Sequence, residues 1–135
     1  MLTRSRRTPV LLSALSVAAL SATVLSGCGS SSPKAQGSGS VAAQGPASAQ
    51  TVHIDGNSSL AFDPATITAK VGQLTIELGI KGGTPHNLEF SEGNRAKIPL
   101  VTGAPLKAIY TFTEAGRYAF VCTIHPGMNG QVVVS

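Results

Sequence analysis

From Thr51 to Ser135 apolar residues come in short runs that alternate with polar ones, and no stretch holds a 3.6-residue period. Leu74, Ile76, Leu78 and Ile80 fall on one face of an alternating run, the pattern of a half-buried strand. Thr51-Val52-His53-Ile54-Asp55 alternates in the same way and reaches a turn at Gly56-Asn57. Phe62-Asp63-Pro64 opens a further element that stays extended to Val71, and His86 to Phe90 is extended again. Leu106–Thr113 and Arg117–Cys122 read as strands about a Glu114-Ala115-Gly116 turn, and a last strand runs to Ser135. Residues 91–105, carrying Gly93, Pro99, Gly103 and Pro105, read as an irregular connection with at most a short element. Seven or eight short strands in the 85 residues from 51 to 135 predict an all-β fold, a Greek-key sandwich or barrel. The expected core is Phe62, Ile67, Leu74, Ile76, Leu78, Phe90, Phe112, Phe120, Val132 and Val134.

The first 50 residues follow other rules. Arg4, Arg6 and Arg7 precede an apolar run from Val10 to about Leu25, the layout of an export signal over residues 1–27. Ser13, Ser16, Ser21 and Thr23 interrupt that run, which falls short of the roughly 20 apolar residues of a membrane span. Leu25-Ser26-Gly27-Cys28 resembles the bacterial lipoprotein signal, which implies that Cys28 is lipidated and begins the mature chain. Residues 28–50 then read as a lipidated Cys and a flexible Ser, Gly, Ala and Gln tether, and 51–135 as the folded domain. A tether of that composition spans about 25 Å on average. The expected location is outside the cytoplasm, in the periplasm or on the outer face of a bacterial membrane.

Charge then narrows the partners. Without residues 1–27, seven Lys and Arg stand against six Asp and Glu, so the basic character belongs to the export signal. The basic balance therefore gives no warrant for nucleic-acid binding, and none is expected. A lipidated Cys28 also leaves Cys122, the only other cysteine, without a disulfide partner.

The chemistry concentrates in Cys122-Thr123-Ile124-His125-Pro126-Gly127-Met128, a C-x-x-H-x-x-M stretch followed by Asn129-Gly130 and a β-branched run. A second imidazole, His86, stands upstream in Thr84-Pro85-His86-Asn87. Two His, one Cys and a weak axial Met are the donor set of a blue-copper site. Each residue has a plainer role open to it: His86 as a loop histidine, Cys122 as a small buried hydrophobe, Met128 as core packing. An unpaired thiol in an oxidising compartment favours ligation. His53, in an alternating strand, reads as a surface residue, and Tyr110 and Tyr118 as packing groups.

Pro85-His86-Asn87, the run Tyr118 to Met128 and the Phe62-x-Pro64-x-x-Ile67-x-x-x-x-Gly72 pattern together resemble a cupredoxin of the plastocyanin and amicyanin kind over residues 51–135. The three-residue steps from Cys122 to His125 to Met128 resemble amicyanin's short loop. The resemblance implies one copper ion held by His86, Cys122, His125 and Met128. It implies that Asn87 ties the His86 segment to the Cys122 loop, and that the edge of His125 is the electron exit. It implies a monomer that carries single electrons between protein partners such as a cytochrome, a dehydrogenase or an oxidase. Copper storage, delivery or sensing at the cell surface uses the same ligands and stays open. An enzyme is not expected: Val121 and Thr123 flank Cys122 where a trinuclear-site oxidase carries His, and the loop has no second Cys. Ile80-Lys81-Gly82-Gly83-Thr84 also lacks the Asn that many relatives carry before the first His.

Overall fold

A computed structural model describes residues 35–93 and 95–135. The expected export signal, Cys28 and the start of the tether lie outside these residues. Ten strands appear among the described residues: β1 (Ser40–Ala42), β2 (Gln50–Asn57), β3 (Phe62–Asp63), β4 (Thr66–Ala69), β5 (Gly72–Lys81), β6 (His86–Phe90), β7 (Ile98–Val101), β8 (Leu106–Phe112), β9 (Gly116–Val121) and β10 (Asn129–Val134). They form two sheets, ordered β1-β4-β10-β9-β6-β7 and β3-β2-β5-β8. The fold is an all-β Greek-key sandwich.

Alternation places the core between the sheets. Val52 and Ile54 of β2, Leu74, Ile76 and Leu78 of β5, and Tyr110 and Phe112 of β8 are buried from one side. Ile67, Leu88, Phe90, Phe120, Val132 and Val134 are buried from the other. All ten core residues expected from the sequence are buried. Edge-to-face aromatic pairs knit the middle, with Phe62–Phe120 centroids 5.0 Å apart and Phe90–Tyr110 centroids 4.9 Å apart. The Tyr110 hydroxyl is buried without a hydrogen-bond partner among the described residues, and burial pushes its pKa up.

Three expectations need correction. Gly56 and Asn57 end strand β2 rather than forming a turn. The extended run from Phe62 splits at Pro64, which has no N–H to donate; β3 pairs with β2, while β4 crosses to the other sheet beside β10. The short element allowed for in residues 91–105 is a strand, β7, that buries Ile98 and Val101 against β6. Arg95 anchors that connection by stacking its guanidinium 4.8 Å from the Phe112 and Tyr118 ring centres and donating to the Thr111 carbonyl at 3.1 Å. The last correction concerns the tether. Residues 40–42 form β1, parallel to β4 in the register Ser40↔Thr66, Val41↔Ile67, Ala42↔Thr68, and β2 begins at Gln50. The folded part therefore starts well before Thr51. Its apolar anchors are small and widely spaced, with Ala35, Val41 and Ala43 packed against the core, so composition alone hid them.

Candidate metal centre

Strand pairing brings the expected donors to one end of the sandwich. β6 pairs antiparallel with β9 in the register Glu89↔Val121, which sets His86 at the start of β6 near Cys122 just past the end of β9. The loop from Cys122 to Met128 joins β9 to β10 and is closed by its own backbone. The Cys122 N–H donates to the Met128 carbonyl at 3.0 Å, the Met128 N–H to the His125 carbonyl at 3.2 Å, and the His125 N–H to the Cys122 carbonyl at 3.4 Å. Gly127 takes φ 84°, a left-handed turn that favours glycine. A short loop tied this way holds its side chains with little room to drift.

Three donor atoms converge. Cys122 Sγ lies 3.4 Å from His125 Nδ1 and 3.9 Å from His86 Nδ1, and the two Nδ1 atoms are 3.1 Å apart. His86, Cys122 and Met128 are buried, and His125 is half-buried. The His86 Nε2–H donates to the Asn57 carbonyl at 3.1 Å, which turns the unprotonated Nδ1 inward. Burial pushes the His86 pKa down, and the neighbouring His125 pushes the same way against the opposing pull of the Asn57 carbonyl. The neutral ring that results is the form that ligates a metal.

Two residues outside the donor set hold His86 in place, and the sequence pointed to neither. One is Asn57. Its carbonyl accepts from His86, while its side-chain oxygen accepts the Ser59 and Ala61 N–H groups at 3.0 and 3.3 Å, pinning the loop after β2. The other is Gly56, where a Cβ would run into the His86 ring. A glycine inside a strand can mark such a close approach, which is the one cue the sequence carries. Asn87 bridges the two segments that carry the candidate ligands. Its side-chain NH₂ donates to Thr123 Oγ1 at 2.7 Å, and its oxygen accepts the Thr123 N–H at 2.8 Å. Asn87→Ala removes both bonds and should cost about 1–3 kcal/mol, at roughly 1 kcal/mol per bond. Urea unfolding of the metal-free variant checks that.

His53 stands elsewhere, exposed on β2 between Asp55 at 3.1 Å and Glu77 at 3.3 Å. It plays no part in the cluster.

Residues 48–135 match the family of copper-binding proteins described as plastocyanin/azurin. The chain belongs to the plastocyanin/azurin family. Among its relatives in that family, amicyanin of Paracoccus versutus is 37% identical over 79 residues, which cover 48% of this chain and 59% of that protein. The copper-resistant cuproprotein CopI of Rubrivivax gelatinosus is 28% identical over 110 residues, 63% of this chain and 66% of CopI. A solved structure of a reduced amicyanin variant superposes with a TM-score of 0.53 at 31% identity, over 63% of this chain and 82% of that one. The chain spans under two-thirds of the length of the curated amicyanins it matches.

Copper is the cofactor of this plastocyanin/azurin domain, and the donor set fits it. Metal–imidazole bonds of about 2.0–2.1 Å and metal–thiolate bonds near 2.3 Å, as tabulated for zinc, let one ion join two nitrogens up to about 4 Å apart and a nitrogen and a sulfur up to about 4.4 Å apart. Each of the three separations, 3.1, 3.4 and 3.9 Å, lies inside its limit. A thiolate with two imidazoles suits copper in both of its common oxidation states.

Proposed function

We propose that the protein is a mononuclear blue-copper electron carrier, with His86, Cys122 and His125 as the close ligands and Met128 as the weak axial one. The observation that supports this reading is the cluster of His86, Cys122 and His125, whose donor atoms all lie within 4.8 Å of one another. Copper, when bound, supplies a one-electron couple between Cu(I) and Cu(II). The chain supplies rigidity and access. Asn57 fixes the His86 tautomer, Asn87 locks the strand to the loop, and the loop's backbone bonds hold His125 and Met128 in register. Half-buried His125 lies next to Ile124, which is 48% exposed, and to exposed Pro126 and Gly127. That edge is the route by which an electron leaves, and the apolar surface suits a protein redox partner such as a cytochrome, dehydrogenase or oxidase.

The protein works outside the cytoplasm, held to a membrane through lipid on Cys28. A carrier rather than an enzyme is the reading that membership of the plastocyanin/azurin family supports.

A second reading, copper storage, delivery or sensing, draws on the similarity to CopI, whose name marks it as copper-resistant. Cycling the loaded protein between oxidised and reduced forms beside a metal-free copper acceptor separates the two. A carrier keeps its copper through the cycles and exchanges electrons with its own oxidised form. Rapid transfer of copper to the acceptor, with slow electron exchange, would favour delivery.

A further inference from the structure

Residues 35–43, Ala-Gln-Gly-Ser-Gly-Ser-Val-Ala-Ala, lie upstream of the stretch that matches the family and have the composition of a linker. Their contacts are not those of a linker. Ser38 and Gly39 carbonyls accept the Ala65 and Thr66 N–H groups at 3.4 and 3.3 Å, β1 lies parallel to β4, and the Ala43 N–H donates to the Thr68 carbonyl at 2.8 Å. Gly37 and Gly39 take φ 133° and 85°, backbone open to glycine and strained for other residues. At Gly37 a Cβ would stand 2.5 Å from the Phe62 carbonyl oxygen and 2.9 Å from the Ala65 Cβ, so the segment is seated directly on the sandwich.

The upstream end of this segment reaches the ligand loop. The Gln36 N–H donates to the carbonyl of Asn129, the residue after Met128, at 3.0 Å. Its side-chain amide lies over Gly127, where a Cβ would be 3.2 Å from Gln36 Oε1. Gly127 stands between His125 and Met128, so Gln36 braces the turn that carries two of the candidate ligands.

We propose that residues 35–43 form a clasp on the copper loop, with Gln36 as a positioning residue that holds the Gly127–Asn129 turn. The inference rests on the copper reading for its consequence, a slower loss of metal, but the bracing itself is a property of the metal-free chain. β4 is the common support: its parallel partners are β1 on one side and β10 on the other, so the clasp and the strand leaving the ligand loop share one frame.

Two variants of the full chain test it. Gln36→Ala removes the amide over Gly127 and keeps the backbone bond. Gly37→Val places a β-branched residue where φ is positive and space is absent, which lifts the segment from Phe62 and breaks the Gln36–Asn129 bond. Gly103→Ala, with nothing within 4 Å of the added Cβ, is the control. Amide exchange of the metal-free proteins and copper loss to a chelator are read for each. We expect the Met128 N–H to exchange about tenfold faster in Gly37→Val, with copper loss faster by a similar factor, as loss of about one hydrogen bond plus backbone strain would give. Gln36→Ala should move both in the same direction by about two- to threefold, as loss of packing over Gly127 would give, and also shift the copper potential, while the Thr123 N–H, held by Asn87, is unchanged. Wild-type exchange at Met128 and wild-type copper loss in Gln36→Ala would overturn the clasp, whether or not Gly37→Val folds. Failure of the wild-type protein to form a copper site would instead sink the copper reading, and exchange at Met128 would still decide the bracing.

Discussion

Cys122→Ser is expected to abolish the intense visible absorption of the copper-loaded protein while the sandwich stays folded. Cys122 is buried, and its sulfur is the one atom of the cluster near both imidazole nitrogens, at 3.4 and 3.9 Å. A metal-bound thiol is deprotonated outright. The strong colour of a blue-copper site arises from charge transfer from that thiolate to Cu(II), which a serine oxygen, a harder donor, cannot supply. Copper affinity should fall by more than the 10–100-fold typical of changes to groups that only support a ligand. The fold should tolerate the change. Serine is close to cysteine in size, and the Cys122 N–H bond to the Met128 carbonyl is a backbone bond that survives. Unfolding of the metal-free variant should therefore lie within about 1–2 kcal/mol of the parent, in the ordinary range for a single substitution. Absorption and chelator competition on the variant measure the copper effects, and urea unfolding measures the stability.

Gly56→Ala should be the most damaging change outside the four candidate ligands. A Cβ at that position enters the His86 ring, and His86 is fully buried, so the ring has nowhere free to go. Moving it breaks the Nε2–H bond to the Asn57 carbonyl and turns Nδ1 away from Cys122 and His125. Overpacking of this kind costs about 1–3 kcal/mol of stability. Copper affinity should drop about 10–100-fold, as for loss of a group that orients a ligand. Urea unfolding of the metal-free protein and chelator competition of the loaded one measure the two effects separately. A variant with parental copper affinity would show that His86 does not need its observed orientation.

How much could be read in advance follows from what kind of information each feature carries. The run from Leu74 to Ile80 announces β5 because period-two burial is written directly in side chains, and Leu74, Ile76 and Leu78 are indeed buried. Cys122, His125 and Met128 are close in sequence, so a short loop brings them near one another in almost any fold. His86 is brought in by the pairing of β6 with β9, which no local pattern announces; the resemblance implied only that His86 shares the site with the Cys122 loop. Backbone roles were the hardest to see. The Asn57 carbonyl and the Gly56 gap act through atoms every residue shares or through an absent one, and turn chemistry is the common use of Gly-Asn. The segment 35–43 was hidden by composition: alanine and glycine bury little area, and its bonds to β4 and Asn129 are made by the backbone. β7 was legible only as a possible short element, because Pro99 and the exposed Leu100 separate its two buried ends.

The most direct test of the copper centre is the visible spectrum of the metal-free protein after one equivalent of Cu(II) is added. The account predicts an intense thiolate-to-copper band that bleaches on reduction and returns on reoxidation without loss of metal. A pale product with only weak absorption would contradict it, because the sulfur of Cys122 would then not be bound to the copper.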